Sequence, residues 1–357
     1  MTTSFQYRSE SDTSSTSNPP PKTAYDVSRR LTFLYMSMAF QDRQDANFRI
    51  SNFEFTHDIG AQYVGRGASF TATKLVARVR FLDGKSEDKL LILKRPRFGN
   101  MDDNDPRWNS LILELRALTF APLRAHPNIV KLLGIVWDFT TPVLVMECAT
   151  YGTLASLERQ NVQDRTRVRL CHDVARGLHF LHACFITHGD VKSENVLVFA
   201  DSELGTIAKL CDFGASLLDM GATSTLRGGT QPWNAPEWKE TMEKSLLLKT
   251  DIYSFGLLFW RVLIHKDPFS SGELFDLPSN PAARFEAIQT MKIRDEILPK
   301  AIGSIQGRGM VQTVESVFVH TLAKEPLSRD LESVLISFGQ MEDAFKYVFF
   351  SLTPICL

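Results

Sequence analysis

His188-Gly189-Asp190-Val191-Lys192-Ser193-Glu194-Asn195 is the stretch on which the reading of this 357-residue chain turns. Four polar types stand at H-x-D-x-K-x-x-N spacing and run straight into apolar Val196-Leu197-Val198, so a short polar loop feeds a strand. An aspartate in such a loop can accept a hydroxyl proton. A lysine can neutralise charge on a phosphoryl group in transit, and an asparagine oxygen can hold Mg²⁺. Taken alone, a polar turn satisfying its own backbone explains the string equally well.

Downstream lies Leu210-Cys211-Asp212-Phe213-Gly214, a carboxylate at a strand end followed by an aromatic residue and a glycine that permits a sharp turn. Asp212 with Asn195 would supply the protein share of a Mg²⁺ site whose other ligands are substrate phosphates. Upstream, Val64-Gly65-Arg66-Gly67-Ala68-Ser69-Phe70 is a glycine-rich turn whose N–H groups can approach phosphate oxygens, although a plain hairpin accounts for it too. A helix from Asn109 to about Phe120 places Leu111, Glu114 and Leu118 on one face. Glu114 therefore needs a cation, and Lys94, at the end of the strand Leu-Leu-Ile-Leu, is the best candidate.

Around these motifs, residues 53–147 favour strands. After Thr153 helices dominate: Val168, Cys171, Val174, Leu178 and Leu181 recur at helical spacing, and Asp251 to Ile264 is apolar nearly all round. A small sheet-rich lobe thus precedes a large helical one, joined near Glu147 to Gly152. Residues 1–30 are crowded with Ser, Thr, Asn and Pro and read as a solvated tail. Leu31 to Phe40 reads as a strand or helix packed on the following domain, and 271–308 as an inserted loop, for which substrate docking and plain surface variation are equally adequate readings.

Forty basic and 41 acidic residues leave a net charge of −1, which gives no bulk attraction to nucleic acid or an anionic membrane. Five cysteines without paired C-x-x-C spacing argue against a disulfide framework or structural zinc, so a reducing, cytoplasmic compartment is expected. No apolar stretch reaches transmembrane length.

As a set, in this order, the motifs resemble the eukaryotic protein kinase superfamily over about Ile59 to Gly339. The string HPNIVKLLGI from His126 and the loop HGDVKSEN from His188 most resemble Ser/Thr kinases of the tyrosine-kinase-like group and related fungal sequences. The resemblance implies an α+β, bilobal kinase fold with a small antiparallel sheet lobe holding one main helix. It implies a kinase domain over 53–342 (lobes 53–147 and 148–342), an N-terminal extension at 31–52 and a C-terminal tail at 343–357. Asp190 would then be the base, Lys192 a phosphate-contacting lysine, Lys94 with Glu114 the paired lysine and glutamate, and Asn195 and Asp212 the metal ligands. Gly65, Gly67, Ala72, Ile92, Lys94, Met146, Glu147, Ala149 and Leu197 would line the ATP site. Ala72 and Ile92 would form the adenine ceiling and Leu197 the floor.

The implied activity is transfer of the γ-phosphate of ATP, with Mg²⁺ or Mn²⁺, to Ser/Thr of a protein substrate. Gly228 to Trp233 would position the peptide, with Thr230 bonding Asp190 and Lys192, and Arg329 would pair with Glu237 of Ala235-Pro236-Glu237. Two rival readings stand beside it: a pseudokinase scaffold that binds ATP, and a small-molecule kinase of related fold. Two departures from the family pattern stand out. Phe70 occupies the third loop-glycine position, and Gly189 replaces the arginine that would engage a phosphorylated activation segment. Activity independent of phosphorylation at Ser216, Thr223, Ser224 or Thr225 is therefore expected.

Overall fold

The structure, a computed structural model, describes Met36 and residues 50–54, 62–66, 70–81, 85–97, 105, 107–138, 141–157, 160, 162–218, 223–226, 228–270, 272, 274–306 and 311–351. The 1–30 tail lies outside the described residues. So does the 31–40 segment except Met36, which is helical and packs against the main core.

The first lobe is an antiparallel sheet of β1 (Ile50–Glu54), β2 (Gln62–Arg66), β3 (Phe70–Phe81), β4 (Ser86–Pro96), β5 (Leu132–Asp138) and β6 (Thr141–Glu147). Its order is β1-β3-β4-β6-β5, with β2 also paired to β3. Strand alternation sorts the side chains. Leu75, Ala77, Val79, Leu91, Leu93, Val143 and Val145 form one buried apolar cluster, while the alternate residues Ala72, Ile92 and Lys94 take the other face. The helices α1 (Arg107–Thr119) and α2 (Ala121–Ala125) interrupt the strands. Strand β1 begins at Ile50, paired with Phe81, so the sheet starts three residues before the boundary read at 53. Its partner lies far along the chain, beyond the reach of a local pattern.

The second lobe contains α3 (Leu154–Leu157), α4 (Asp164–Ala183), the β7 (Val196–Asp201) and β8 (Gly205–Leu210) ribbon, and a short ladder of β9 (Thr223–Ser224) with β10 (Met242–Glu243). Helix α5 (Lys244–Ile264) then runs through its centre, buried on every side as its all-round apolar sequence requires. The segment 271–308 is not a plain loop. It holds α6 (Pro281–Ile293) and α7 (Ile297–Ser304). Asn280 caps α6 by accepting the Ala282 and Ala283 N–H groups, with Pro281 at the first turn. Helices α8 (Val311–Leu322) and α9 (Leu331–Ser351) complete the lobe. The boundary read at 342 falls inside α9, because neither proline nor glycine interrupts the chain between Met341 and Ser351.

An amide from the first lobe and a buried acid of the second meet on one residue of β8. Asp173 of α4 accepts the Ala208 N–H at 3.0 Å, and Asn128 donates to the Ala208 carbonyl at 3.0 Å. Burial pushes the Asp173 carboxyl up to about 6, against the Ala208 N–H and the charges of Arg169 and Arg176. A carboxyl raised in the fold is ionised there at a cost. That cost is absent below pH 4, grows as pH rises through 6, and is complete above it. Asp173→Asn, which keeps an acceptor, should therefore raise stability at pH 7.5 by on the order of 1–3 kcal/mol. Thermal melts at pH 4 should show almost no difference, and equal melting temperatures at both pH values would rule out this cost.

Candidate active site

Lys94 ends the buried run of β4. Its cross-strand partners are Ala72 and Leu144, and those of Ile92 are Lys74 and Met146. Ala72, Ile92, Lys94 and Met146 therefore share one sheet face. The Lys94 ammonium lies 2.6 Å from Glu114 Oε2 and 2.8 Å from Asp212 Oδ1. Burial works against this charge, but the Asp212 and Glu114 carboxylates outweigh it and hold the lysine above its usual value. Lys94 in turn holds Asp212 low, while burial pushes the enclosed Glu114 up. Phe70 is the first residue of β3, buried, with Lys94 Nζ 5.2 Å from its ring centre. A side chain in place of the third glycine thus walls the lysine. Gly65 sits in β2 with open space where a Cβ would be, and Gly67 lies outside the described residues.

The polar loop is hung from α5. Asp251, buried, accepts the N–H groups of His188 at 2.7 Å and Gly189 at 2.9 Å, and His182 Nε2 lies 3.1 Å from the same carboxylate. Gly189 has φ +81, and a Cβ there would stand 2.6 Å from the Ala215 carbonyl oxygen. The backbone itself requires glycine at this position. Asp190 Oδ2 accepts from Lys192 Nζ at 2.6 Å and Asn195 Nδ2 at 2.8 Å. Its Oδ1 is buried and has no partner among the described residues. Lys192 also meets the Thr230 hydroxyl at 2.5 Å. No bond from Thr230 to Asp190 is present among the described residues, so that half of the expected bridge is absent: Thr230 reaches Asp190 only through Lys192.

Asp212 adopts the left-handed backbone region at φ 65, unusual for a non-glycine residue, and Phe213 behind it packs on His188. Nearly half of the Asp212 side chain stays open to solvent. The Asn195 nitrogen is spent on Asp190, which turns its carbonyl oxygen to other use. One carboxylate and one amide oxygen suit Mg²⁺ that keeps its remaining ligands as water and phosphate. Leu197 follows on β7, bridged to Thr153, and Ala149 packs at the edge of the core.

The Glu147 side chain is turned away from the Lys94 face and held by other groups. Its side chain pairs with Lys209 at 2.8 and 2.9 Å and accepts the Lys131 N–H at 2.8 Å. Its own N–H donates to the Lys131 carbonyl, so only its carbonyl is left to meet a ligand. Burial pushes the Cys148 and Cys211 thiols above the usual thiol range, which disfavours the thiolate form. Sequence reading missed the side chains that hold the site from behind, namely His182, Lys209 and Lys292. Each pairs with a group distant along the chain, and no local spacing signals it.

A sheet lobe and a helical lobe, with a lysine–glutamate pair bonded to Asp212 beside the Asp190–Asn195 loop, define a two-lobed architecture. Residues 76–329, more than half of the chain, match the family described as the protein kinase domain, and the chain belongs to that family. The match begins within β3, later than the Ile59 start read from the motifs, and ends at Arg329, before Gly339. Among similar proteins is the mitogen-activated protein kinase kinase kinase dlk-1 of Caenorhabditis elegans, 31% identical over 150 residues, 41% of this chain and 16% of that protein. The serine/threonine-protein kinase CTR1 of Arabidopsis thaliana is 31% identical over 206 residues, 54% of this chain and 24% of that one. The probable serine/threonine-protein kinase gdt8 of Dictyostelium discoideum is 28% identical over 234 residues, covering 65% and 17%. The likeness is to Ser/Thr kinases of the tyrosine-kinase-like group, and the chain spans less than a quarter of the length of each of these relatives. No helix among the described residues is long and apolar enough to cross a membrane.

Proposed function

We propose that this chain transfers the γ-phosphate of ATP to serine and threonine hydroxyls of protein substrates inside the cell. The observation that carries the reading is Asp190: one carboxylate oxygen is fixed by Lys192 and Asn195, while the other is buried and has no partner among the described residues. A buried acceptor without a donor is costly, and an incoming hydroxyl removes that cost. Asp190 would orient that hydroxyl and accept its proton. Lys192 would meet the transferred phosphoryl group, and Lys94, held by Glu114, the phosphates nearer adenine. Asn195 and Asp212 would hold Mg²⁺, which when bound neutralises charge between the phosphates. Ala72, Ile92 and Leu197 would enclose adenine, with Met146, Glu147 and Ala149 along its edge. Gly65 and Gly67 would cover the phosphates.

Arg329 anchors Glu237 of Ala235-Pro236-Glu237, and Thr230 is tied to Lys192. Both favour a peptide acceptor over a small alcohol. Incubation with Mg-ATP and a generic basic protein tests this reading. Labelled phosphate on Ser or Thr supports it. ATP binding without transfer would mark a pseudokinase, and turnover of small alcohols alone a small-molecule kinase.

Ser216 is buried with its hydroxyl on the His188 carbonyl, so Thr223, Ser224 and Thr225 are the candidate modification sites left in the expected group. With Gly189 in place of a cation, alanine at all three should leave the transfer rate within about threefold of wild type, a change of well under 1 kcal/mol. Loss of activity in a well-folded triple variant would show that phosphorylation is required after all.

A further inference from the structure

Lys292, on the last turn of α6, is 1% exposed. Its ammonium donates to the carbonyl oxygens of Pro232 and, at 2.5 Å, of Asn234, and faces the Tyr253 ring at 5.7 Å. Among the described residues one carboxylate draws on it, Glu237, which is already held by Arg329. Burial consequently pushes Lys292 down to about 7. In either protonation state its nitrogen carries at least two protons, enough for two carbonyls. An apolar side chain of the same volume would fill this space without desolvating an amine. What the lysine adds is two directed bonds to one strip of backbone.

That strip is the segment from Gly228 to Asn234, which folds back on itself. The Trp233 N–H donates to the Thr230 carbonyl at 2.8 Å, and a Cβ on Gly229 would collide with Asn234 Oδ1. Shifting the Asn234 carbonyl therefore shifts Gly229 and Thr230, and Thr230 leads through Lys192 to Asp190. Arg261 of α5 stacks on Trp233 at 5.2 Å and also reaches Glu194 of the polar loop. Lys292 is the tether at the far end of this chain of contacts.

We propose that Lys292 is a positioning residue for the acceptor peptide: by holding the Pro232 and Asn234 carbonyls, it sets where segment 228–234 lies beside Asp190. This rests on the kinase reading above. In Lys292→Met, the KM for a mixed-sequence Ser/Thr peptide should rise about tenfold while the KM for ATP stays within about twofold, the scale of two lost neutral hydrogen bonds. Amide exchange across 228–234 should speed up by about the same factor with 188–195 unchanged. Lys292→Gln, which keeps an amide donor, should fall between the two and carries the same readouts if the methionine variant does not fold. Equal rises in both KM values with a lowered melting temperature would reduce Lys292 to a core residue. An active wild type with unchanged peptide KM and exchange in Lys292→Met overturns the inference alone. A wild type silent toward every peptide overturns the kinase reading and the acceptor role with it.

Discussion

Asp190→Asn is expected to lower phosphoryl transfer by about 10²–10⁴-fold, the usual contribution of a positioned proton acceptor. The substitution keeps the size of the side chain and an oxygen for Lys192 and Asn195, which both donate to Oδ2 in the wild type. The amide that replaces the second oxygen cannot take a proton. It presents a donor at Oδ1, the buried site that has no partner among the described residues. ATP affinity should hardly change, because the contacts of Lys94 and Asp212 are elsewhere. Isotope transfer and nucleotide titration on the same preparation check both halves. A variant as active as wild type would remove Asp190 from the chemistry.

Arg329→Met should destabilise the fold by about 3–5 kcal/mol, since it strands a buried carboxylate. Arg329 is fully buried. Its guanidinium donates to both Glu237 oxygens, at 2.5 and 3.1 Å, and to the carbonyls of Ala323, Lys249 and Lys324. All three of its nitrogens are engaged, and the group stacks 4.8 Å from Tyr253. Methionine would fill part of the volume but leave Glu237 and three carbonyls unanswered. Denaturant unfolding should place the midpoint far below wild type. A double variant with Glu237→Gln should recover part of the loss, and a midpoint near that of wild type for the single variant would show the pair to be dispensable.

Much of this site is legible as spacing. Asp190, Lys192 and Asn195 lie within six residues, and Asp212 stands two residues past the end of the second ribbon strand, so their convergence needs only a loop and a hairpin. The Lys94–Glu114 pair is readable because a glutamate on an apolar helix face demands a cation. Helices α6 and α7 read as loop in the sequence because Pro278, Pro281, Pro299 and Gly303 punctuate the stretch as turn signals, although Ile297, Leu298, Ala301 and Ile302 recur at helical spacing. Phe70 is ambiguous in a different way. As part of a flexible turn it would lie over the phosphates, whereas as the first residue of β3 it packs beside Lys94.

The two-lobed plan and the residues of the candidate site are written in the linear order of the chain, because periodicity and short-range spacing are local properties that any chain of this order must express. Which partners hold those residues is settled only by tertiary packing. Asp251 with the loop amides, Glu147 with Lys209, and Lys292 with Pro232 and Asn234 are matches between groups far apart in sequence. Such matches exist only once burial removes water and obliges each charge and amide to find a partner within the fold.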